Sequence, residues 1–187
     1  MVARRARLYD ALALLTVIVV VAIDQWTKAL VVENLSPPES KAPIPILGKY
    51  LVIYYVQNSG AAFSMLRGSL ILVLLIAAAI VVVAYLYIRM LNTGPLIYKI
   101  VFGMIMGGAI GNLIDRARHS GYVVDFIYFR IPEIKFDFAI FNVADACISV
   151  GVFLLFVLVL FGGLRSTDNA AKESDKTLQA SEQDAKL

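Results

Sequence analysis

The sequence predicts an α-helical integral membrane protein with four transmembrane helices, joined on one side by short strands and a short surface helix. The first observation behind this prediction is composition: 60% of the 187 residues are hydrophobic. The mean hydropathy of +0.79 is too high for a soluble domain of this size. The second is a set of four apolar runs, each long enough to cross a hydrocarbon core of about 30 Å. The third is the β-branched, aromatic and proline-rich character of the segments between those runs.

Charge and rare residues narrow the possible functions. The net charge is +3, but the basic residues are dispersed and form no helical stripe, which argues against nucleic-acid binding. One cysteine excludes an intramolecular disulfide, and we expect Cys147 to pack as a small hydrophobe. His119 is the single histidine, so the sequence argues against a histidine-rich metal site.

The first predicted span covers residues 8–32 and follows a cluster of three arginines. A basic segment before an apolar run resembles a signal peptide, but no small-residue cleavage pattern follows, so we expect an uncleaved span. Asp24 and Lys28 are four residues apart and could pair on one face of this helix. The alternative is an ion pair at the membrane interface, with Trp26 as an anchor.

Residues 33–69 are predicted to lie outside the membrane. The proline-rich stretch 36–45 cannot continue a helix. Residues 46–56 are β-branched and aromatic, which favours a strand or small sheet, and residues 57–60 are typical of a turn. Residues 61–66 are predicted to form the short surface helix. Taken alone, Asn58 would be an ordinary turn residue.

The remaining spans are predicted at residues 70–88, 96–114 and 142–164. A turn at residues 92–95 separates the second span from the third. Residues 115–141 form the second extracytoplasmic segment, with strands expected at residues 122–131 and 136–141, separated by Pro132. Residues 1–165 therefore form one membrane domain, and residues 166–187 form a polar, disordered cytoplasmic tail.

Four spans place both termini on the same side of the membrane. The arginine cluster Arg4, Arg5 and Arg7 precedes the first span, and the positive-inside rule makes that side cytoplasmic. The two long loops then face outward, together with the polar residues they carry.

A cluster of polar residues interrupts the apolar sequence between Gly103 and Asp145. Gly103, Gly107 and Gly111 recur every four residues, a spacing that lets membrane helices pack closely. The same spacing relates three further residues, which would lie on one helical stripe: Gly108, Asn112 and Arg116.

Two acids follow this stripe, Asp125 after two valines and Asp145 at the start of the last apolar run. Ionisable groups at a membrane boundary are costly and are often functional. Structural interpretations also apply, because Asn142 and Asp145 have the spacing of a helix-capping pair. Asp125 could be a solvated loop residue, and Arg116 could be an interfacial anchor. The number of polar residues in one short stretch favours an active site.

The chemistry that fits best is a pair of carboxylates sharing one proton, in which one activates a water while the other donates to a substrate carbonyl. A second enzymatic possibility is a Ser/Lys pair that uses Lys28 with Ser59 or Ser64. A third hypothesis is a non-catalytic transporter subunit or scaffold, since membrane carboxylates also line ion paths. Asp115, Glu133 and Asp137 are acids to which the sequence assigns no role.

Five motifs in order resemble those of the signal peptidase II family, the bacterial aspartic membrane proteases that process lipoproteins. They cover the whole predicted membrane domain and are specific as a set. The motifs are Asp24-Gln25-Trp26-Thr27-Lys28, Asn58 to Phe63, Gly107 to Arg116, Val123-Val124-Asp125-Phe126 and Phe141-Asn142-Val143-Ala144-Asp145.

The resemblance implies a four-helix membrane enzyme with an extracytoplasmic β-rich cradle. Its catalytic residues would be Asp125 and Asp145. Supporting residues would be Asn58, Gly108, Asn112, Arg116, Asn142, Asp24 and Lys28. The implied substrate is a diacylglyceryl-modified prolipoprotein, cleaved just before its lipidated cysteine. The resemblance further implies a monomer in the bacterial inner membrane, in contact with lipids, without a metal ion or an organic cofactor.

Overall fold

The computed structural model describes residues 2–60, 81, 83–85, 87, 88 and 95–160. Within these residues, three helices are long and apolar enough to cross a membrane. They belong to α1 (Val2–Leu35), α2 (Leu96–Arg118) and α3 (Val143–Leu160). Residues 81, 83–85, 87 and 88 are also helical, but most of the predicted span at 70–88 lies outside the described residues. So do the predicted surface helix at 61–66 and the tail at 166–187.

Two of the three helices extend beyond the predicted limits. α1 continues to Leu35 and ends just before the Pro37–Pro38 pair, which cannot continue a helix. α2 continues past residue 114 to Arg118. The prediction ended α2 where the apolar run ends, but the polar residues of its last turn find partners inside the protein and allow the helix to continue.

Glycines let α2 pack closely against both other helices. A Cβ atom at Gly103 would lie 2.9 Å from the carbonyl oxygen of Ala13, and one at Gly107 would lie 2.8 Å from Cβ of Val20. Further along, Gly111 faces Asp24. The predicted close-packed glycine face is therefore confirmed. Because residue numbers rise together along this contact, α1 and α2 run parallel.

α3 packs against α2 in the reverse direction. Gly108 faces Ala144, at the start of α3, whereas Gly151 faces Ile105, nearer the start of α2. The first part of α3 is therefore antiparallel to α2. The chain divides into two units, Met1–Gly151 and Val152–Leu187, and in the second unit residues 152–160 are helical.

The β-rich part of the protein is an antiparallel sheet with the strand order β1-β2-β3-β4. Its strands are β1 (Ile44–Leu47), β2 (Leu51–Asn58), β3 (Val123–Ile131) and β4 (Phe136–Asp137). The single strand that one interpretation placed at 46–56 is two strands, because Gly48 adopts a positive φ of 52° and turns the chain. A 3-10 helix, Pro132–Ile134, separates β3 from β4.

The sheet is fixed to the end of α1 by an apolar cluster. Val31 and Leu35 of α1 pack with Tyr55 of β2 and with Val124 and Phe126 of β3. Burial of these side chains stabilises the contact between helix and sheet. Asp125 lies between Val124 and Phe126 in sequence, so the same packing places its carboxylate at the junction of sheet and helices.

Candidate active site

Backbone hydrogen bonds bring the start of α3 to the middle of β3. The amides of Phe126 and Ile127 donate to the carbonyl oxygen of Phe141 at 3.1 and 2.8 Å. In return, the amide of Phe141 donates to the carbonyl oxygen of Ile127 at 3.1 Å. The residue after Phe141 is Asn142, which these bonds hold beside β3, where Asp125 lies.

Asn142 and Asp145 form the capping pair that their spacing predicts. The Asp145 amide donates to Oδ1 of Asn142 at 2.9 Å, and the Asn142 amide donates to Oδ2 of Asp145 at 3.2 Å. This reciprocal arrangement satisfies the first amides of α3. The structural interpretation of these residues is thus confirmed, and it also fixes the orientation of the Asp145 carboxylate.

Asp125 is 2% exposed and receives hydrogen bonds from two side-chain amides. Nδ2 of Asn142 donates to its Oδ1 at 2.7 Å, and Nδ2 of Asn58 donates to its Oδ2 at 2.9 Å. Asn58 pairs with Val123 and Val56 pairs with Asp125 across β2 and β3. Asn58 is therefore a diagonal neighbour of Asp125 on one face of the sheet, within side-chain reach. Asp125 is not a solvated loop residue, and that interpretation was wrong.

Asn112 connects the two aspartates. Its Nδ2 donates to Oδ1 of Asp145 at 2.7 Å, and its Oδ1 accepts a hydrogen bond of 3.2 Å from Nδ2 of Asn142. Because Asn142 also binds Asp125, a pair of asparagines joins both carboxylates in one hydrogen-bonded network. With Asn58, which binds Asp125, the network brings together five of the predicted site residues: Asn58, Asn112, Asp125, Asn142 and Asp145.

The surroundings of Asp125 keep its carboxyl group partly protonated at neutral pH. Burial and the nearby charge of Asp145 raise the pKa of Asp125 to about 7. The hydrogen bonds from Asn58 and Asn142, and the charge of Lys28, act in the opposite direction. A carboxyl group with this pKa can hold and release a proton near neutral pH, as a general acid must.

Lys28 is a buried cation beside this network. Its Nζ lies 2.8 Å from Asp24, 2.9 Å from Asp115 and 3.0 Å from Oδ1 of Asn112. The predicted Asp24–Lys28 pair is confirmed. The Lys28 side chain is only 3% exposed, so the pair is buried within the protein. Trp26, by contrast, is 63% exposed.

Asp115 is a buried residue of the site to which the sequence assigned no role. It was treated as an acid outside the site, but it is 1% exposed. Besides contacting Lys28, it accepts hydrogen bonds from Nε2 of Gln25 at 2.8 Å and from the Val124 amide at 3.0 Å. A usable signal was present, since Asn112 and Asp115 are three residues apart and share one face of α2.

Arg116 and Gly108 occupy supporting positions on α2. Arg116 donates to the carbonyl oxygens of Asn112 and Gly60 at 3.2 and 3.3 Å, and so links α2 to the turn after Asn58. Among the described residues, its buried Nε has no hydrogen-bond partner. A Cβ atom at Gly108 would lie 2.5 Å from the carbonyl oxygen of Ala144. Only glycine at this position lets α3 bring Asp145 so close to α2.

The contacts of Lys28 bear on the Ser/Lys hypothesis. An ammonium group has three hydrogens to donate, and Lys28 has three acceptors in Asp24, Asp115 and Asn112. An ammonium group held in this way has no lone pair with which to take a proton from a serine hydroxyl. Ser64, one of the two candidate nucleophiles, lies outside the described residues.

The fold and the site together are those of an integral membrane protein with a hydrogen-bonded carboxylate pair, of which Asp125 is buried and Asp145 is partly buried. A family profile described as "Signal peptidase (SPase) II" matches residues 16–161, a range that includes every predicted site residue. The chain belongs to the signal peptidase II family and is a membrane peptidase. The family membership that the motifs predict is confirmed.

Individual relatives agree with this assignment. The chain is 43% identical over 142 residues to a lipoprotein signal peptidase of Geobacillus kaustophilus (strain HTA426), covering 76% of this chain and 88% of the relative. It is 39% identical over 153 residues to the lipoprotein signal peptidase of Bacillus subtilis (strain 168), covering 82% and 93%. A solved structure titled as a bacterial membrane enzyme matches with a TM-score of 0.70 and 28% identity, covering 80% of this chain and 88% of the other.

Proposed function

We propose that this chain is an aspartic endopeptidase that removes the signal peptide from diacylglyceryl-modified prolipoproteins, cleaving just before the lipidated cysteine. Family membership and relatives named lipoprotein signal peptidase support the substrate class. The observation that carries the mechanism is the asparagine pair that holds Asp125 and Asp145 in one buried network.

The proton needed for catalysis is assigned to Asp125. Burial and the charge of Asp145 raise its pKa to about 7. Asp145 is then the base, because its negative charge is one of the causes that keep the proton on Asp125. Asn112 and the Asn142 amide hold the Asp145 carboxylate in place. A water between the two groups loses a proton to Asp145 as its oxygen attacks the scissile carbonyl carbon. Asp125 donates its proton to the carbonyl oxygen, which produces a neutral gem-diol.

The second step returns the pair to its starting state. Asp145 passes its proton to the amide nitrogen, and Asp125 takes a proton back from one hydroxyl of the gem-diol as the C–N bond breaks. The products are a signal peptide with a free carboxyl group and a lipidated cysteine with a free amine. Both carboxyl groups are held by hydrogen bonds before substrate arrives, so little reorganisation is needed in either step.

The parallel course of α1 and α2 supports the proposed membrane arrangement. Two successive spans that run parallel require the chain between them to recross the membrane, which supports a further span in the region 70–88 and a total of four. By the positive-inside rule, the arginines at the start of α1 support a cytoplasmic location for that end. Both termini and the tail at 166–187 are then cytoplasmic, and the site of the 1–165 domain lies near the outer leaflet of the bacterial inner membrane. We further propose that the enzyme works as a monomer among membrane lipids.

A cleavage assay tests the proposal directly. Purified protein in detergent is incubated with a diacylglyceryl-modified prolipoprotein and, as the matched control, with the same prolipoprotein lacking the lipid. We expect a smaller product whose new N-terminus is the lipidated cysteine, and slower or no cleavage of the control. Absence of any cleavage would favour the transporter-subunit or scaffold hypothesis.

A further inference from the structure

The buried cluster around Lys28 reaches the backbone at two informative places. Oδ1 of Asp24 accepts a hydrogen bond of 3.0 Å from the amide of Ala144, the residue before Asp145. Oδ2 of Asp115 accepts a hydrogen bond of 3.0 Å from the amide of Val124, the residue before Asp125. Each carboxylate therefore binds the backbone amide of the residue that directly precedes a proposed catalytic aspartate.

Lys28 joins these two contacts into one unit. Its Nζ lies 2.8 Å from Oδ2 of Asp24 and 2.9 Å from Oδ2 of Asp115. The path from Ala144 through Asp24, Lys28 and Asp115 to Val124 thus runs from α3 to β3 without interruption. We name the three side chains Asp24, Lys28 and Asp115 the carboxylate bridge.

We propose that the carboxylate bridge sets the distance between Asp125 and Asp145, with Asp115 as a positioning residue of the reaction. The proposal rests on the proposed function, because it assigns the bridge a role in the two-aspartate chemistry. The proposal assigns a role to Asp115, whose Oδ2 binds the Val124 amide of β3. It also assigns a role to Gln25, whose side-chain amide donates a hydrogen bond of 2.8 Å to Oδ1 of Asp115.

The bridge has the properties that a spacer requires. Its three side chains are each at most 3% exposed, so solvent does not compete for their contacts. The third contact of Lys28 is with Asn112, which in turn binds Asp145. A displacement of about 1 Å at a reacting group can cost on the order of 100-fold in rate. A fixed ion bridge between the two chain segments prevents such a displacement.

Variants that change the length or the charge of the bridge separate positioning from general stability. Asp115→Glu keeps the charge but lengthens one arm, and Asp115→Asn keeps the length but weakens the contact with Lys28. In the folded fraction of each we expect kcat to fall about 100-fold, with KM within about two-fold of wild type. Asp137→Asn is the matched control, because Asp137 is an exposed acid on β4, and its kcat should not change.

A double variant tests whether both arms act through one unit. Asp24→Asn and Asp115→Asn each open the bridge, so the double variant should lose about as much kcat as the worse single variant. Folded Asp115 variants with wild-type kcat, or losses that multiply in the double variant, would overturn the proposal. Failure of all these variants to fold would also overturn it, since the bridge would then be a folding element. Failure of the proposed function looks different, because the wild-type protein itself would not cleave.

Discussion

α1 and α2 are joined by buried ion pairs at both ends, and the two ends differ in a way that marks the active site. Near the start of the helices, Asp10 pairs with the fully buried Lys99 and accepts a hydrogen bond from the Tyr87 hydroxyl. Near the other end, Lys28 pairs with both Asp24 and Asp115. Both sets are costly to bury and would be strongly destabilising to break.

The first difference between the two ends is the balance of charge. Within the part of the chain that the structure describes, the ion pair at the first end joins the Asp10 carboxylate to the Lys99 ammonium. The Lys28 end gathers four carboxylates, Asp24, Asp115, Asp125 and Asp145, around Lys28, with Arg116 nearby. Surplus negative charge in a buried site favours retention of a proton, and a retained proton is available for chemistry. Burial of an ion pair alone therefore does not identify a catalytic site.

The largest effects should come from the aspartate pair. Asp125→Asn and Asp145→Asn keep the side-chain size but remove the acid or the base, so each should lower kcat by roughly 1000-fold or more. Because the two residues act as a unit, the double variant should be scarcely worse than either single one. Cleavage rates on a lipidated prolipoprotein measure this, and Asp137→Asn is the control. Substantial activity in either single variant would contradict the two-aspartate mechanism.

Because only one of the two ends carries the site, we expect two lysine variants to differ in their effect on kcat. Lys28→Met should lower kcat about 100-fold, because it removes the cation next to the catalytic network. Lys99→Met should lower the free energy of unfolding by about 3–5 kcal/mol, because it leaves the charge of Asp10 without its partner ammonium. It should leave kcat of the folded enzyme unchanged. Thermal unfolding and kcat are measured on the same preparations. A large loss of kcat in folded Lys99→Met would remove the distinction between the two ends.

A smaller effect is expected at Arg116. Its guanidinium binds two carbonyl oxygens, on Asn112 and Gly60, and a lysine cannot copy that geometry. Arg116→Lys should therefore lose one of these two hydrogen bonds, which should reduce kcat/KM by about ten-fold. Arg118 is exposed, so Arg118→Lys serves as the control and should behave as wild type. Equal activity of the two variants would reduce Arg116 to an interfacial anchor.

The pH dependence should show a modest but diagnostic shift. The mechanism needs protonated Asp125, so kcat should fall as the pH rises through about 7. The hydrogen bond from Asn58 stabilises the carboxylate and lowers the pKa of Asp125. Asn58→Ala should therefore move this decline to higher pH, by about one unit or less. Asn34→Ala, at an exposed position near the end of α1, should leave the profile unchanged, and a shift to lower pH in Asn58→Ala would contradict the assignment.

The sequence predicted the helices and the site residues better than it predicted their contacts. Apolar runs locate α1, α2 and α3, because a helix that crosses the hydrocarbon core must be apolar over its length. The ends of the helices depend instead on hydrogen-bond partners inside the protein, as the continuation of α2 to Arg118 shows. Asp125 and Asp145 stood out as acids in apolar surroundings. Asp115 did not, because its role depends on Lys28 and Val124, which reach it only through the fold. The Asp10–Lys99 pair joins residues too distant in sequence for any local pattern to connect.

The two-carboxylate mechanism has one consequence that does not depend on the behaviour of any variant. Water attacks the scissile bond directly, so no covalent acyl-enzyme forms, whereas a Ser/Lys peptidase passes through one. Wild-type enzyme is allowed to cleave a lipidated prolipoprotein in the presence of hydroxylamine, and the C-terminus of the released signal peptide is analysed by mass spectrometry. We expect only a free carboxyl group at that C-terminus, because water attacks the scissile bond directly. A hydroxamate there would show that an acyl-enzyme had been intercepted, and would contradict the assignment of Asp125 and Asp145 as the groups that activate water.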